Sequence, residues 1–488
     1  MSDRSLTTEA LIVGGGIVGA GVARDAAMRG LTTVLVDAND FAFGTSSRSS
    51  RLLHGGLRYL AQGRVGLVRE ASHEKIIISK IAPHLVAPLS FVFPTYKGTQ
   101  WKRWKLRIGV KIYDWLCGKS NLGSATGLTP EQAIRILPML EPVGLTGGVR
   151  YFDGFTNDAR LVLDTLRSAA DAGATLLNYT SLQSATRDGQ AWQCVLRDAH
   201  SGQERTIQAR TVVNAAGAWA QRFPKSQVKL RLTKGVHLVV HRAKLPVSDA
   251  VVMTDGSRIL FAIPWGERLI LGTTDTDYEG ATENPKCDDD DVAYVLAIAN
   301  KAFPTSGISA SDVISAWAGL RPLIADADAK PSDISRAHQI HAQRDGWIDV
   351  AGGKLTTYRL MAEQTVDAVA SVLGKAKGAC RTAVTPLVND ISFSGITPPA
   401  VSREAVDHFC AQEWSRHLDD VMIRRTSWRY YHRDHLEIAE RVAAWMAAKL
   451  NWSTDRTADE LKRYRRMTAP LAPAWEPVDT LASRASSP

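Results

Sequence analysis

One stretch near the N-terminus, ALIVGGGIVGAGVARDAAMRGLTTVLVD from Ala10 to Asp37, constrains the fold more than any other. It reads as a short apolar strand, a glycine turn, a small-residue helix closed by Gly30, and a β-branched strand. Gly14, Gly16 and Gly19 fill a G-x-G-x-x-G turn that leads into the helix at Ile17. The first glycine permits the tight turn, the second lets backbone approach a pyrophosphate, and the third lets helix and strand pack closely. The pyrophosphate then faces the positive end of the helix. Asp37 ends the second strand, where a carboxylate accepts hydrogen bonds from a ribose diol. A glycine turn alone is weak evidence, but strand, helix and acid agree here. An acid rather than a base disfavours a 2′-phosphate, which leaves FAD or NAD and argues against NADP.

With 488 residues the chain is too long for one core, so two or three domains are expected. Composition is that of a soluble globular protein, 45% hydrophobic and 22% charged. No apolar run reaches bilayer-spanning length, and the polar N-terminus lacks a signal-peptide pattern, so an intracellular location is expected. The five cysteines are scattered without CxxC spacing and the histidines lack H-E-x-x-H spacing. We therefore expect neither disulfides nor metal. The net charge of +9 favours anionic partners such as phosphorylated substrates or acidic lipid. Its basic clusters match no nucleic-acid motif, and no nucleic-acid partner is expected.

A second unusual stretch, FGTSSRSSRLLHGGLRYL, runs from Phe43 to Leu60. Its small hydroxyl residues, Thr45, Ser46, Ser47 and Ser50 among them, let backbone run close to a flat or charged ligand. Arg51, His54 and Arg58 can clamp an anion.

With GGGIVGAG, TSSRSSRLLHGGLRYL, APHLVAPLSFVFP, NAAGAW, KGVHLVV, IPWGERLILGTTD, AGLRPL and GGKLTTYR in order, the chain resembles the FAD-dependent glycerol-3-phosphate dehydrogenases. The likeness runs from about Glu9 to about Arg359 and more loosely beyond. It implies FAD as cofactor, with Ala216 and Gly217 in a second small-residue turn beside it. It also implies a further strand–glycine–helix junction at Gly353, Leu355 and Thr356, whose helix start and Lys354 face the flavin. Candidate groups for substrate phosphate and developing alkoxide are Arg58, Arg321, Arg336 and Lys354, with Arg51 beside them. His237 is the expected general base, because an imidazole ordinarily titrates near neutrality, and His54 is the second choice. The implied reaction is oxidation of glycerol 3-phosphate to dihydroxyacetone phosphate, with quinone as electron acceptor at the cytoplasmic membrane face. Another polyol phosphate, such as erythritol phosphate, or oxygen as acceptor, is the alternative.

Between Lys97 and Lys119, Trp101, Trp104, Ile108, Ile112 and Trp115 form one helical stripe flanked by lysines and arginines. A basic amphipathic helix rimmed with tryptophan suits an anionic lipid surface, although such a stripe also packs on its own domain. The C-terminal region is helical and carries no catalytic motif. Thr457 and Glu460 read as a capping box there, and packing or homodimer contacts are its expected use. The expected architecture is α/β. A discontinuous Rossmann-like FAD-binding domain covers 1–95, 150–226 and 338–375. An antiparallel β-sheet cap domain for substrate covers 96–149 and 227–337, and a helical domain covers 395–488.

Overall fold

The computed structural model describes residues 6–61, 63–118, 121–256, 258–325, 338–376 and 378–468. Arg336 lies outside the described residues, as does the side chain of Arg58.

The opening stretch folds as expected: strand Leu6–Val13, helix Ile17–Met28, strand Thr33–Val36. The two strands pair in parallel, Ala10 opposite Thr33 and Val13 opposite Val36. Such pairing buries both faces, and all of Thr33–Val36 is buried. On one side Leu6–Val13 pairs in parallel with Glu204–Asn214, which pairs in parallel with Trp347–Gly352. On the other side Thr33–Val36 pairs with Thr175–Leu177. The helices Ile17–Met28, Asp158–Asp171 and Tyr358–Val372 cover one face, joining Ala20, Ala23, Leu163, Met361 and Val366 in one core. Trp192 and Trp347 close the other face over Leu11 and Val13.

A second sheet, mostly antiparallel, is built on Leu230–His241, which pairs along its length with Val313–Ile324 and with Arg268–Gly272. This sheet continues through Arg258–Trp265 and Ala250–Asp255 to Val86–Tyr96 and Leu145–Thr156. The strand Val86–Tyr96 falls in the segment 1–95 expected to belong with the first sheet. It hydrogen-bonds into the second instead, because its long partner Leu145–Thr156 is there. Backbone pairing, rather than position along the chain, decides the sheet.

The C-terminal helices Arg403–Gln412, His435–Leu450 and Thr454–Thr468 pack around Phe409, Trp428, Val442 and Met446. The last helix starts ahead of the expected cap. The Ser453 hydroxyl accepts the Arg456 N–H at 3.1 Å, and Thr457 sits inside the helix. Glu460 bonds His417 and the Leu418 N–H instead of a cap, because it faces the core.

The surface helix Arg103–Cys117 carries two apolar stripes. Leu106, Val110, Tyr113, Leu116 and Cys117 face inward and are buried. The opposite stripe stays in solvent, with Trp104 at 62% and Trp115 at 78% exposure, and Ile108 and Ile112 between them. Trp101 precedes the helix and departs from this stripe. It packs against Phe93 at 5.2 Å between ring centroids, and its indole N–H donates to the Gly256 carbonyl. Among the described residues no helix is long and apolar enough to cross a membrane.

Candidate active site

The two sheets meet over a cleft of about 1410 Å³. Its floor at one end is the glycine turn. Gly14 has φ of +113°, and a Cβ there would lie 2.6 Å from the Ala215 carbonyl oxygen. A Cβ on Gly19 would lie 1.8 Å from the Gly14 oxygen, so helix and turn touch only because Gly19 lacks a side chain. Gly16 and Ile17 line the cleft, and the Ile17 N–H at the helix start is 3.0 Å from the Ser46 Oγ that accepts it. Asp37 stands at the strand end, where its carboxylate accepts the N–H groups of Gly15 (2.7 Å) and Asn39 (2.8 Å). Burial pushes this carboxyl up to about 7 against the two backbone donors.

The neighbouring turns complete the wall. Ala216 and Gly217 follow Asn214, whose amide bonds Asp349 at 2.7 Å and thereby ties two parallel strands together behind the turn. Thr45, Ser46 and Ser50 line the cleft, with Thr45 Oγ1 donating to the Leu320 carbonyl at 2.6 Å. Ser47 is buried behind them and does not reach the cleft, since the short 3-10 turn Thr45–Ser47 rotates it inward. These residues fit an adenine dinucleotide. They offer side-chain-free backbone at the turns, an open helix start for a pyrophosphate and a carboxylate for a ribose.

The other end is cationic. Arg321 lines the cleft, its guanidinium 3.2 Å from Asp275 and 3.0 Å from Thr273 Oγ1. A Cβ on Gly235 would sit 2.4 Å from Arg321 Nη2, so this glycine on the adjacent strand makes the room the guanidinium uses. Lys354 follows Gly352 and Gly353, both at φ of +75°, and its Nζ lies 4.2 Å from the centre of the Tyr59 ring. Leu355 and Thr356 form a short turn ahead of the helix Tyr358–Val372. Thr356 Oγ1 accepts the His54 N–H at 3.0 Å, which holds the His54–Gly55–Gly56 loop beside Lys354. His54 lines the cleft there.

His237 projects from the strand Leu230–His241 of the second sheet and is 2% exposed. Its Nε2 lies 2.7 Å from Ser50 Oγ, its ring stacks on Trp317 at 5.1 Å, and its Nδ1 is buried without a hydrogen-bond partner. Burial, with the Arg321 and Arg51 guanidiniums adding, pushes the imidazole down to about 3. It is therefore neutral at ordinary pH, and the expectation of a near-neutral titration does not hold for the protein as it stands.

Arg51 is placed elsewhere than expected. It is buried, stacked 4.3 Å from the Trp265 ring centre, and donates to Ser427 Oγ at 3.0 Å in the C-terminal helical region. Its backbone φ of +59° turns it away from the cleft. The sequence reading also missed residues on the cleft. Arg48 lies over the Phe43 ring at 5.4 Å, and Tyr59 lies under Lys354. Arg48 sits within the serine-rich stretch, and only the local turn decides that it, and not Arg51, faces inward.

Comparison with known proteins agrees with this geometry. The family described as FAD dependent oxidoreductase matches residues 9–363, and the C-terminal domain of alpha-glycerophosphate oxidase matches 396–457. Over 378 residues the chain is 39% identical to an aerobic glycerol-3-phosphate dehydrogenase of Staphylococcus aureus, covering 75% of this chain and 68% of that protein. The FAD-complexed glycerol-3-phosphate dehydrogenase from Bacillus halodurans superposes with a TM-score of 0.77 at 30% identity, over 96% of this chain and 95% of that one. L-alpha-glycerophosphate oxidase from Mycoplasma pneumoniae, with FAD bound, shares the fold at a TM-score of 0.61 and 16% identity, over 74% of this chain and 94% of that one. The chain is therefore a member of the FAD-dependent glycerol-3-phosphate dehydrogenase family, oxidoreductases acting on CH–OH with FAD as cofactor.

Proposed function

We propose that the protein oxidises sn-glycerol 3-phosphate to dihydroxyacetone phosphate and delivers the electrons to a quinone at an anionic membrane surface. The observation that carries this reading is the continuity of one cleft, from the Gly14 turn to Arg321, His237 and Lys354. When bound, FAD supplies the hydride acceptor. Gly14, Gly16, Asp37, Ala216 and Gly217 would hold its dinucleotide, and Gly353, Leu355 and Thr356 its flavin end. Arg321 offers a planar fork suited to phosphate, held at a fixed angle by Asp275 and Thr273. Lys354 holds positive charge where an alkoxide develops. His237 is neutral and so is able to accept the hydroxyl proton. Burial is the main cause of the depressed imidazole pKa, and a phosphate dianion beside Arg321 offsets the cationic part of it, which strengthens the imidazole as a base.

The acceptor part rests on the surface helix. Lys102, Lys105, Ile108 and Ile112 border the mouth of the same cleft, and the helix turns its apolar stripe outward. A lipid-soluble acceptor then reaches the cleft from the surface on which that stripe rests. Purified protein should carry yellow flavin that bleaches anaerobically on adding glycerol 3-phosphate. Recovery of colour with a quinone in anionic vesicles, but not with oxygen, supports the full reading. Bleaching only by a four-carbon polyol phosphate, or rapid recovery with oxygen, would replace substrate or acceptor respectively.

A further inference from the structure

We propose that the C-terminal helical region is part of the dinucleotide site, with Arg424 and Arg425 acting as positioning residues that hold the loop 37–44 through Asp40. The inference depends on FAD binding and not on the substrate or acceptor proposed above.

The loop leaves the strand end at Asp37 and returns to the glycine turn. Ala42 adopts a left-handed φ of +60°, and its N–H donates to the Gly15 carbonyl at 3.0 Å. Asp37, Asn39 and Phe43 of this loop line the cleft. Asp40 lies among them but points the other way and is fully buried. Arg424 Nε donates to its Oδ2 at 2.5 Å, and Arg425 Nη2 to its Oδ1 at 2.9 Å, with Arg425 Nη1 also on Oδ2. Asn178 Nδ2 adds a bond at 3.0 Å. Arg424 spans from Asp40 to Asp419 and Asp420 on its own segment, at 2.7 and 2.6 Å, and its guanidinium lies 5.8 Å from the Phe43 ring centre. Beside it, the Tyr179 hydroxyl donates to Asp420 at 2.5 Å, while the Tyr179 and Thr180 N–H groups donate to the carbonyls of Asn39 and Asp37.

A buried carboxylate is tolerable only when paired and hydrogen-bonded, and here nearly every partner comes from beyond the glycine-rich half of the chain. The backbone on either side of Asp40 carries the ribose acid and a wall of the cleft. Position of the acid is therefore set by a salt-bridge knot whose cations lie in the C-terminal region. Linkage requires the reverse as well: FAD, by ordering the loop, must tighten the knot.

Three measurements on full-length protein test this. Arg424→Lys keeps the charge but loses the fork. It should weaken FAD reconstitution of the apoprotein at least tenfold and weaken competition by ADP by a similar factor. The midpoint potential of bound flavin should stay at the wild-type value, because the isoalloxazine end is untouched. Val442→Ala opens the buried core of the same helices without touching the knot. It should lower the unfolding temperature while leaving FAD and ADP affinity at wild-type values. In wild-type protein, FAD added to apoprotein should slow amide exchange across 420–427 as well as across 14–19. Equal loss of FAD affinity in both variants, unchanged affinity in Arg424→Lys, or unaltered exchange at 420–427 would each overturn the proposal. The exchange measurement decides the matter if Arg424→Lys does not fold.

Discussion

The Gly55 N–H donates to the Tyr113 hydroxyl at 2.8 Å, joining the inner face of the surface helix to the loop beside Lys354. Tyr113 in turn donates to Asp153, which Lys75 pairs at 2.9 Å, and all three side chains are buried. A Cβ on Gly55 would sit 2.6 Å from that hydroxyl, so loop and helix are in direct contact. Removing only the oxygen, in Tyr113→Phe, leaves the Gly55 N–H unsatisfied and costs about 1–3 kcal/mol. We expect KM for glycerol 3-phosphate to rise several-fold while kcat changes less. Steady-state kinetics with a matched stability curve check this, and an unchanged KM would confine Tyr113 to packing.

His237 has a pH signature of known sign. Its folded-state value of about 3 lies below the ordinary histidine range, so the unfolded chain binds the extra proton between those limits. Stability contributed at this site falls as pH drops from 7 to 5, by about 2 kcal/mol, and the loss is absent above pH 7. His237→Gln should flatten that slope in urea melts and slow flavin reduction by substrate about a hundredfold, with FAD retained. Stopped-flow reduction at the wild-type rate would remove His237 from the role of base.

The two glycines of the turn should fail differently. Gly19→Ala places a methyl on the Gly14 carbonyl and should yield insoluble protein, because the helix cannot seat. Gly16→Ala meets only the Ser46 hydroxyl at 3.1 Å, so the fold should survive with FAD affinity reduced about tenfold. Flavin content per folded protein distinguishes the two.

Arg321→Ala removes a fork held by Asp275 and Thr273 and leaves that carboxylate facing the cleft. Loss of a charge-assisted contact worth about 2–3 kcal/mol should raise KM for the phosphorylated substrate roughly 30- to 150-fold, without altering FAD content. An unchanged substrate requirement counts against phosphate binding by this residue.

Trp104→Glu with Trp115→Glu should abolish co-sedimentation with anionic vesicles and leave stability within about 0.5 kcal/mol of wild type, since both rings are already in solvent. Trp101→Glu is a different experiment, because that ring packs on Phe93 and should cost stability. Retained vesicle binding by the double variant would dissociate the stripe from lipid.

The local signals were readable because they depend on short spacings. The glycine turn and the Asp37 position follow from what backbone must do beside a dinucleotide, and the two later glycine junctions were assigned to the cofactor through the family resemblance. Arg51 was expected on the cleft and Arg48 was passed over, because two cations three residues apart look alike until the turn between them is built. His237 was recognisable as a candidate, but its low pKa arises from burial, with Arg321 and Arg51 on other segments adding to it.

What the amino-acid order determined alone is the βαβ dinucleotide module, the family and one amphipathic surface helix, because strand, turn and helix periodicities act within a few residues; that this helix carries a second, buried stripe and leaves Trp101 off the exposed one is decided by packing. What only the tertiary structure decided is which cations face the cleft, which sheet receives Val86–Tyr96, and that Arg424 and Arg425 reach Asp40. Those outcomes depend on pairing and desolvation between segments hundreds of residues apart, where burial, not spacing, sets the energy.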